Sequence, residues 1–366
     1  MNRKTFAVMM LVAAASTAMA GPLNPPPGPI AATMKTLAEF EARIAINATN
    51  TPGASNAMFV ISQPGSYYLT GDVNVDASKS GIVVQASNVT IDLNGFTIKG
   101  IAGSVAGVSG GGKDRVKVVN GRIVGMSTGI YITHSTSYHQ AIVLEDLVIS
   151  QSTNDGVFIG GGALRHCEIE RSGGIGAFIT ANTASTVEDC TFYDNGSNGL
   201  NMYSGTVRNS SASSNSGTGI SVTTGTVLGC TAADNFVGIT IEAGVVKDST
   251  VQDNRDLGIR ANGNALNSNN SISNNTFVDQ SIGIQVQNTS GTRIEGNAIT
   301  RMYVGVSLLT GNNYAFSNSF RGCTHAFNVA ANNRIGTLVT GTASPMFIGN
   351  VGGGLGTTDP YANIIH

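Results

Sequence analysis

Residues 199–254 read GLNMYSGTVRNSSASSNSGTGISVTTGTVLGCTAADNFVGITIEAGVVKDSTVQDN, and they divide into three copies of one pattern. Each copy opens on Gly with alternating apolar residues: GLNM at 199–202, GISV at 219–222, GITI at 238–241. A second piece follows (TVRN, TVLG, VVKD), then a third (SSASSN, CTAADN, STVQDN). Such short alternating pieces are strand signals, and no copy holds the long run of helix formers that a helix needs. Between the second and third pieces stand Asp189, Asn209, Gly229, Asp248 and Asn274. Asn, Asp and Gly tolerate left-handed backbone, so a tight bend is expected there in every copy. A further column (Asn195, Asn215, Asn235, Asn254) follows the third piece. Stacked Asn side chains can satisfy the backbone groups of successive turns.

The Gly-apolar anchor recurs at Gly81, Gly107, Gly129, Gly156, Gly176, Gly199, Gly219, Gly238, Gly258, Gly283 and Gly305, with a Gly-less copy at Ala326. Internal repeats of about this length indicate a solenoid. The expected fold is all-β: about twelve coils of three strands, with equivalent strands stacked in parallel about 4.8 Å apart. Inward residues such as Ile220 and Val222, Ile239 and Ile241, and Ile284 and Val286 stack like on like. No single coil buries its own face, so stability accumulates over neighbours.

The repeat V-x-(D/N/G)-(C/S/N)-x-(F/A/V)-x-x-N…G-I, over residues 81 to about 340, resembles that of the pectate-lyase-like superfamily of right-handed parallel β-helices. The segment around Pro64-Gly65 is similar to the entry segment of secreted bacterial β-helix proteins. The resemblance implies the fold. It leaves the activity open, because this fold carries lyases, hydrolases, epimerases, adhesins and maturation factors.

The ends carry other signals. Arg3 and Lys4, the apolar run Phe6 to Ala18, and Ala18-Met19-Ala20 have the layout of a signal peptide over residues 1–20. Cleavage before Gly21 is expected, with a secreted, periplasmic or cell-surface location. Residues 21–33 form a Pro-rich leader, and 34–80 an N-terminal cap. The cap comprises a short amphipathic helix over 34–43 and two strands around Pro64-Gly65. Residues 341–366 are a C-terminal cap or tail. The chain holds 20 Lys+Arg and 22 Asp+Glu; without Arg3 and Lys4 the balance is 18 against 22, a net charge of −4. That balance speaks against a nucleic-acid partner. No stretch after the signal is long and apolar enough to cross a membrane. Oligomeric state is not legible.

The register assigns outward side chains on the first strand. Three in succession are aromatic (Tyr131, Phe158, Phe178), and such faces can stack on sugar rings. The alternative is that the loop from Thr133 to Gln140 covers them. Polar groups gather beside the stripe: His134, Tyr138, His139, Asp155 and Arg171. A lyase acting on acidic polysaccharide needs a base and cations, roles open to Arg171, His134 or His139 with Asp155. Asn154-Asp155-Gly156 echoes a polygalacturonase motif faintly, and the rest of that pattern is missing; the alternative role for Asp155 is a turn. Asp234, Asp253 and Asp279 share one corner, with Arg260 pointing outward nearby. They are candidate calcium or acidic-sugar ligands, or simply Asx turns with solvated carboxylates. Cys167, Cys190 and Cys230 share a core position. Cys167 and Cys190, in adjacent coils, are either bonded or free thiols. His166 points to a different face from Cys167.

Two functions follow. One is an exported β-helix that binds polysaccharide without a complete known catalytic set. The other is a lyase or glycoside hydrolase acting on acidic polysaccharide. A role like that of periplasmic metalloenzyme maturation factors lacks a supporting Cys/His/Met cluster.

Overall fold

The computed structural model describes residues 43–133, 141–180, 184–263, 271–273, 276–340 and 359–365. These residues lie in one compact unit, Arg43–His366, made of parallel strands. The expected signal peptide (1–20), leader (21–33) and helix (34–43) lie outside them, apart from Arg43.

Three ladders of parallel strands build the coil. The first runs through thirteen strands, from Ala57–Ile61 to His325–Val329. The second runs from Ile44–Ile46 to Arg334–Ile335, and the third from Val73–Val75 to Asn363–Ile365. The stack therefore starts before Gly81. The strands on either side of Pro64-Gly65 are coil strands, each paired with its counterpart in the next coil: Phe59 with Ile82, Tyr67 with Ile91. They escape the repeat because Met58 stands where later coils carry Gly81 and its successors.

Four of the five expected bends are present, and the fifth, Asn274, lies outside the described residues. Asp189, Asn209, Gly229 and Asp248 have φ between 49° and 61°. The same bend column also takes Asn120, Asp146 and His166. A second left-handed column, between third and first strands, holds Gln151, Arg171, Asp194, Asp234, Asp253, Asp279 and Arg301.

One continuous core extends from Ile46 to Phe320, filled by Ile, Val and Leu from every coil. Beside it runs the amide column. Asn195 Nδ2 donates to Asn215 Oδ1 (2.8 Å), Asn215 to Asn235 (2.9 Å), Asn235 to Asn254 (3.2 Å), and Asn254 to Gln280 Oε1 (3.2 Å). The Oδ1 atoms of Asn215, Asn235 and Asn254 each also accept the backbone N–H of the residue before them in the column. The Nδ2 groups reach carbonyls of preceding coils, such as Ala212 O from Asn235. The anchor glycines make room for this column. A Cβ on Gly219 would lie 2.7 Å from Asn235 Nδ2 and 2.8 Å from Gly238 O. The same squeeze recurs at Gly176, Gly199 and Gly238. Ala326 stands in the last strand of the first ladder among the described residues.

Asn235→Ala leaves the Asn215 amide N–H groups without their acceptor in a site where Asn235 itself is fully buried. An unsatisfied buried donor costs about 1–3 kcal/mol, so we expect a loss of about 3 kcal/mol. Urea denaturation followed by circular dichroism measures it.

Candidate functional site

The first ladder presents its outward face as a groove. Asn56, Ser80, Ser109, Ser127 and Thr128 line one half, a shallow volume of about 460 Å³ ending at Tyr131. Thr128, Tyr131, Thr153, Asn154, Asp155, Phe158 and Gly174 line the next half, of about 430 Å³. Tyr131 sits at the junction and is 43% exposed.

From Tyr131 an aromatic row climbs the rod. Ring centroids lie 5.2 Å apart for Tyr131 and Phe158, 5.3 Å for Phe158 and Phe178, and 6.0 Å for Phe178 and Tyr203. Parallel pairing of Tyr131 with Phe158 and of Phe158 with Phe178 produces the alignment. The rings cover one another, which leaves the two phenylalanines half-buried and the end tyrosines exposed. Tyr203 is absent from the row that the register assigns. It is the next outward residue after Asn201, so GLNMY carried the signal. The loop expected to cover the row, with His134, Tyr138 and His139, lies outside the described residues.

The structure brings Tyr131, Asp155 and Phe158 together in the groove. Asp155 also ties two coils together, because its Oδ1 accepts the Ile175 backbone N–H of the next coil at 2.8 Å. Asn198 does the same further along the rod, toward Thr218 N. Arg171 is not a groove residue. It occupies a left-handed corner, with Glu170 at 3.2 Å and Asp194 at 3.9 Å.

Asp234, Asp253 and Asp279 do share one corner column, all with positive φ. Asp279 is gripped by both nitrogens of the Arg301 fork, which holds its carboxyl below the usual range. Arg260 points outward between Thr240 and Gln285, with Asp256 at 3.5 Å.

The cysteines are free thiols. Cys167 and Cys190 are buried in adjacent coils, whereas His166, one residue from Cys167, is exposed. The neighbouring Cys190 and burial push the Cys167 thiol up. Burial raises Cys230 to about 11. Cys323 is less buried than the other three, and its thiol is raised by desolvation as well. Thiolate is the reactive form. On folded protein at pH 8 we expect a disulfide reagent to modify Cys323 first and the other three only after urea is added. Peptide mass mapping reads the order.

Comparison with known proteins agrees with this architecture. Residues 106–245 match the family described as right handed beta helix region, and residues 206–351 the family described as periplasmic copper-binding protein (NosD). No curated protein matches the sequence. Among solved structures, the A-module of the Azotobacter vinelandii mannuronan C-5 epimerase AlgE4 superposes with a TM-score of 0.60 at 15% identity, covering 74% of this chain and 91% of that one. The AlgE6 A-module from the same organism gives 0.60 at 17% identity, covering 74% and 89%. The catalytic unit of a GH87 α-1,3-glucanase from Streptomyces thermodiastaticus gives 0.47 at 15%, covering 76% and 60%. Among the described residues of the NosD-like stretch no three His, Cys, Asp or Glu come close enough to share an ion. Cys230 and Met302 there are buried, and the His325 ring packs against Tyr303. Three parallel ladders, the family match over residues 106–245 and the two epimerase superpositions together show that the chain folds as a right-handed parallel β-helix.

Proposed function

We propose that this chain is an exported polysaccharide-binding β-helix, and that a glycan chain lies along the first-ladder groove across Tyr131. The observation that carries the reading is the groove's composition. Hydroxyl and amide side chains (Ser80, Ser109, Ser127, Thr128, Thr153, Asn154) flank an exposed aromatic ring. Sugars present both hydroxyl groups and apolar ring faces, so they match such a surface. Tyr203, at the far end of the aromatic row, offers a second exposed ring. The AlgE4 and AlgE6 modules, which share the fold, are named for an acidic polysaccharide, and that class is the first to test. The signal-peptide layout of residues 1–20 and the periplasmic family matched by residues 206–351 support export.

A second reading is an enzyme, a lyase or glycoside hydrolase acting on acidic polysaccharide, with Asp155, Arg171, His134 and His139 as its catalytic candidates. Asp155 favours it by lying in the groove beside Tyr131 and Phe158. Against it, one Asp155 oxygen is committed to the Ile175 N–H, and Arg171 turns to Glu170 and Asp194. Hydrolysis also calls for two carboxyl groups at set separations, and Asp155 is the only carboxylate among the described groove residues.

Affinity electrophoresis against acidic and neutral polysaccharides, with and without calcium, separates the readings. Retardation without new products identifies a binder. Unsaturated ends absorbing in the ultraviolet identify a lyase, and new reducing ends a hydrolase. Tyr131→Ala removes the ring at the groove junction, and we expect binding to weaken about tenfold, the scale of a stacking contact near 1.4 kcal/mol. Unchanged retardation of that variant would place the glycan elsewhere.

A further inference from the structure

The bend between second and third strands carries a cluster that the groove does not use. Asp146, His166 and Asp189 stand at the same bend in three successive coils, each with φ near 50°. The imidazole is held between two carboxylates. His166 Nδ1 lies 3.3 Å from Asp146 Oδ1, and Nε2 lies 3.7 Å from Asp189 Oδ2. Among the described residues, Glu145, Asp146 and His166 are the one group of three whose ligand atoms all fall within 4.8 Å of one another.

We propose that Glu145, Asp146 and His166 form a surface site for one divalent transition-metal ion of the zinc or copper(II) class, with Asp189 orienting the imidazole. The Asp146–His166 separation fits. Nitrogen and oxygen ligands each sit about 2.0–2.2 Å from such an ion. Two ligands at that radius are then roughly 2.8–3.6 Å apart in octahedral or tetrahedral arrangements. The 3.3 Å between Asp146 and His166 falls in that interval. The second carboxylate supplies what metal-bound histidines usually have, an acceptor for the other ring N–H. Each ring nitrogen has a carboxylate beside it.

Imidazole with carboxylates suits zinc or copper(II) better than calcium, which takes oxygen ligands alone. Glu145 Oε2 is taken by Lys117 Nζ at 2.6 Å, which leaves Oε1 for the ion. Arg165 and Arg208 nearby are turned to Glu188, at 3.8 and 2.6 Å. Four carboxylates (Glu145, Asp146, Glu188, Asp189) thus face three cations (Lys117, Arg165, Arg208), leaving net negative charge where the ion would sit. The His166 side chain is 55% exposed, so the site opens directly to solvent. It lies outside residues 206–351, the stretch that matches the copper-binding family.

The test uses untagged, full-length protein and isothermal titration with zinc chloride, then copper(II) chloride. We expect one site per chain in the wild type. His166→Asn should weaken it at least tenfold. Asn keeps the left-handed bend, as Asn120 and Asn209 do in the same column, so the variant should retain its circular dichroism spectrum. Asp146→Asn should weaken binding comparably. Asp189→Asn should weaken it about tenfold with the stoichiometry unchanged, the scale of a lost outer-shell partner. His325→Asn, which removes an imidazole elsewhere, should leave affinity unchanged. Full affinity in His166→Asn, or no wild-type site tighter than millimolar, overturns the proposal.

Discussion

A coil of this rod must lie about 4.8 Å from the next along its whole contour, and the corner after the third strand is where that is hardest to satisfy. There the backbone turns inward beside the core, and its polar groups meet no water. The side-chain amides of Asn195, Asn215, Asn235 and Asn254 replace the missing partners and link coil to coil. The amides need space, which residues without a Cβ provide: Gly176, Gly199, Gly219 and Gly238 each face one of these nitrogens at 2.7–2.9 Å from where a Cβ would be. The Gly anchor and the Asn column, which read as two motifs, are two sides of one seam. Toward the N-terminus the same glycines (Gly81, Gly107, Gly129) face Ile98, Ile123 and Ile149 and the next glycine's carbonyl, so the close approach of coils is kept there without the amides. The parallel register stacks the apolar residues inward and lines up Tyr131, Phe158 and Phe178 outward.

The sequence is most legible where one residue type answers one physical demand. Left-handed bends at Asp189, Asn209, Gly229 and Asp248 are readable because few residues accept that backbone. The Asn column and the outward aromatics follow from the same count. Legibility fails where the demand is met by an unusual residue. His166 and Arg171 adopt the same left-handed bends, held by carboxylates in neighbouring coils, and nothing in residue preference marks them. Arg171 therefore resembles a groove residue in the sequence and is a corner in the structure.

The start of the stack is hidden for a related reason. Residues 44–75 pair into all three ladders without a Gly anchor, so periodicity alone does not reach them. The candidate site is half legible. Tyr131, Asp155 and Phe158 converge as their spacing implies, but the backbone duty of Asp155 toward Ile175 emerges only when the next coil is in place. The Glu145–Asp146–His166 cluster joins residues about one coil apart in sequence, and only a register exact to the residue brings them together.

The seam also governs how such a chain can change over time. Anchor intervals vary, yet the bend before the third strand and the amide corner after it keep their residue counts in the coils around Asn195 to Asn254. Between Gly81 and Ala326 the longest insertion falls on the connection between first and second strands. It is absent where strands run unbroken through Gly205, Gly225 and Gly244, and extended between Thr133 and Ile142 or Asn262 and Ser271. Gly110 and Gly111, where that connection leaves the first strand, line one end of the groove. A lineage built on this rod can therefore lengthen, shorten or replace the rim of its exposed face coil by coil while its scaffold stays constant, so recognition is free to diversify without renegotiating stability.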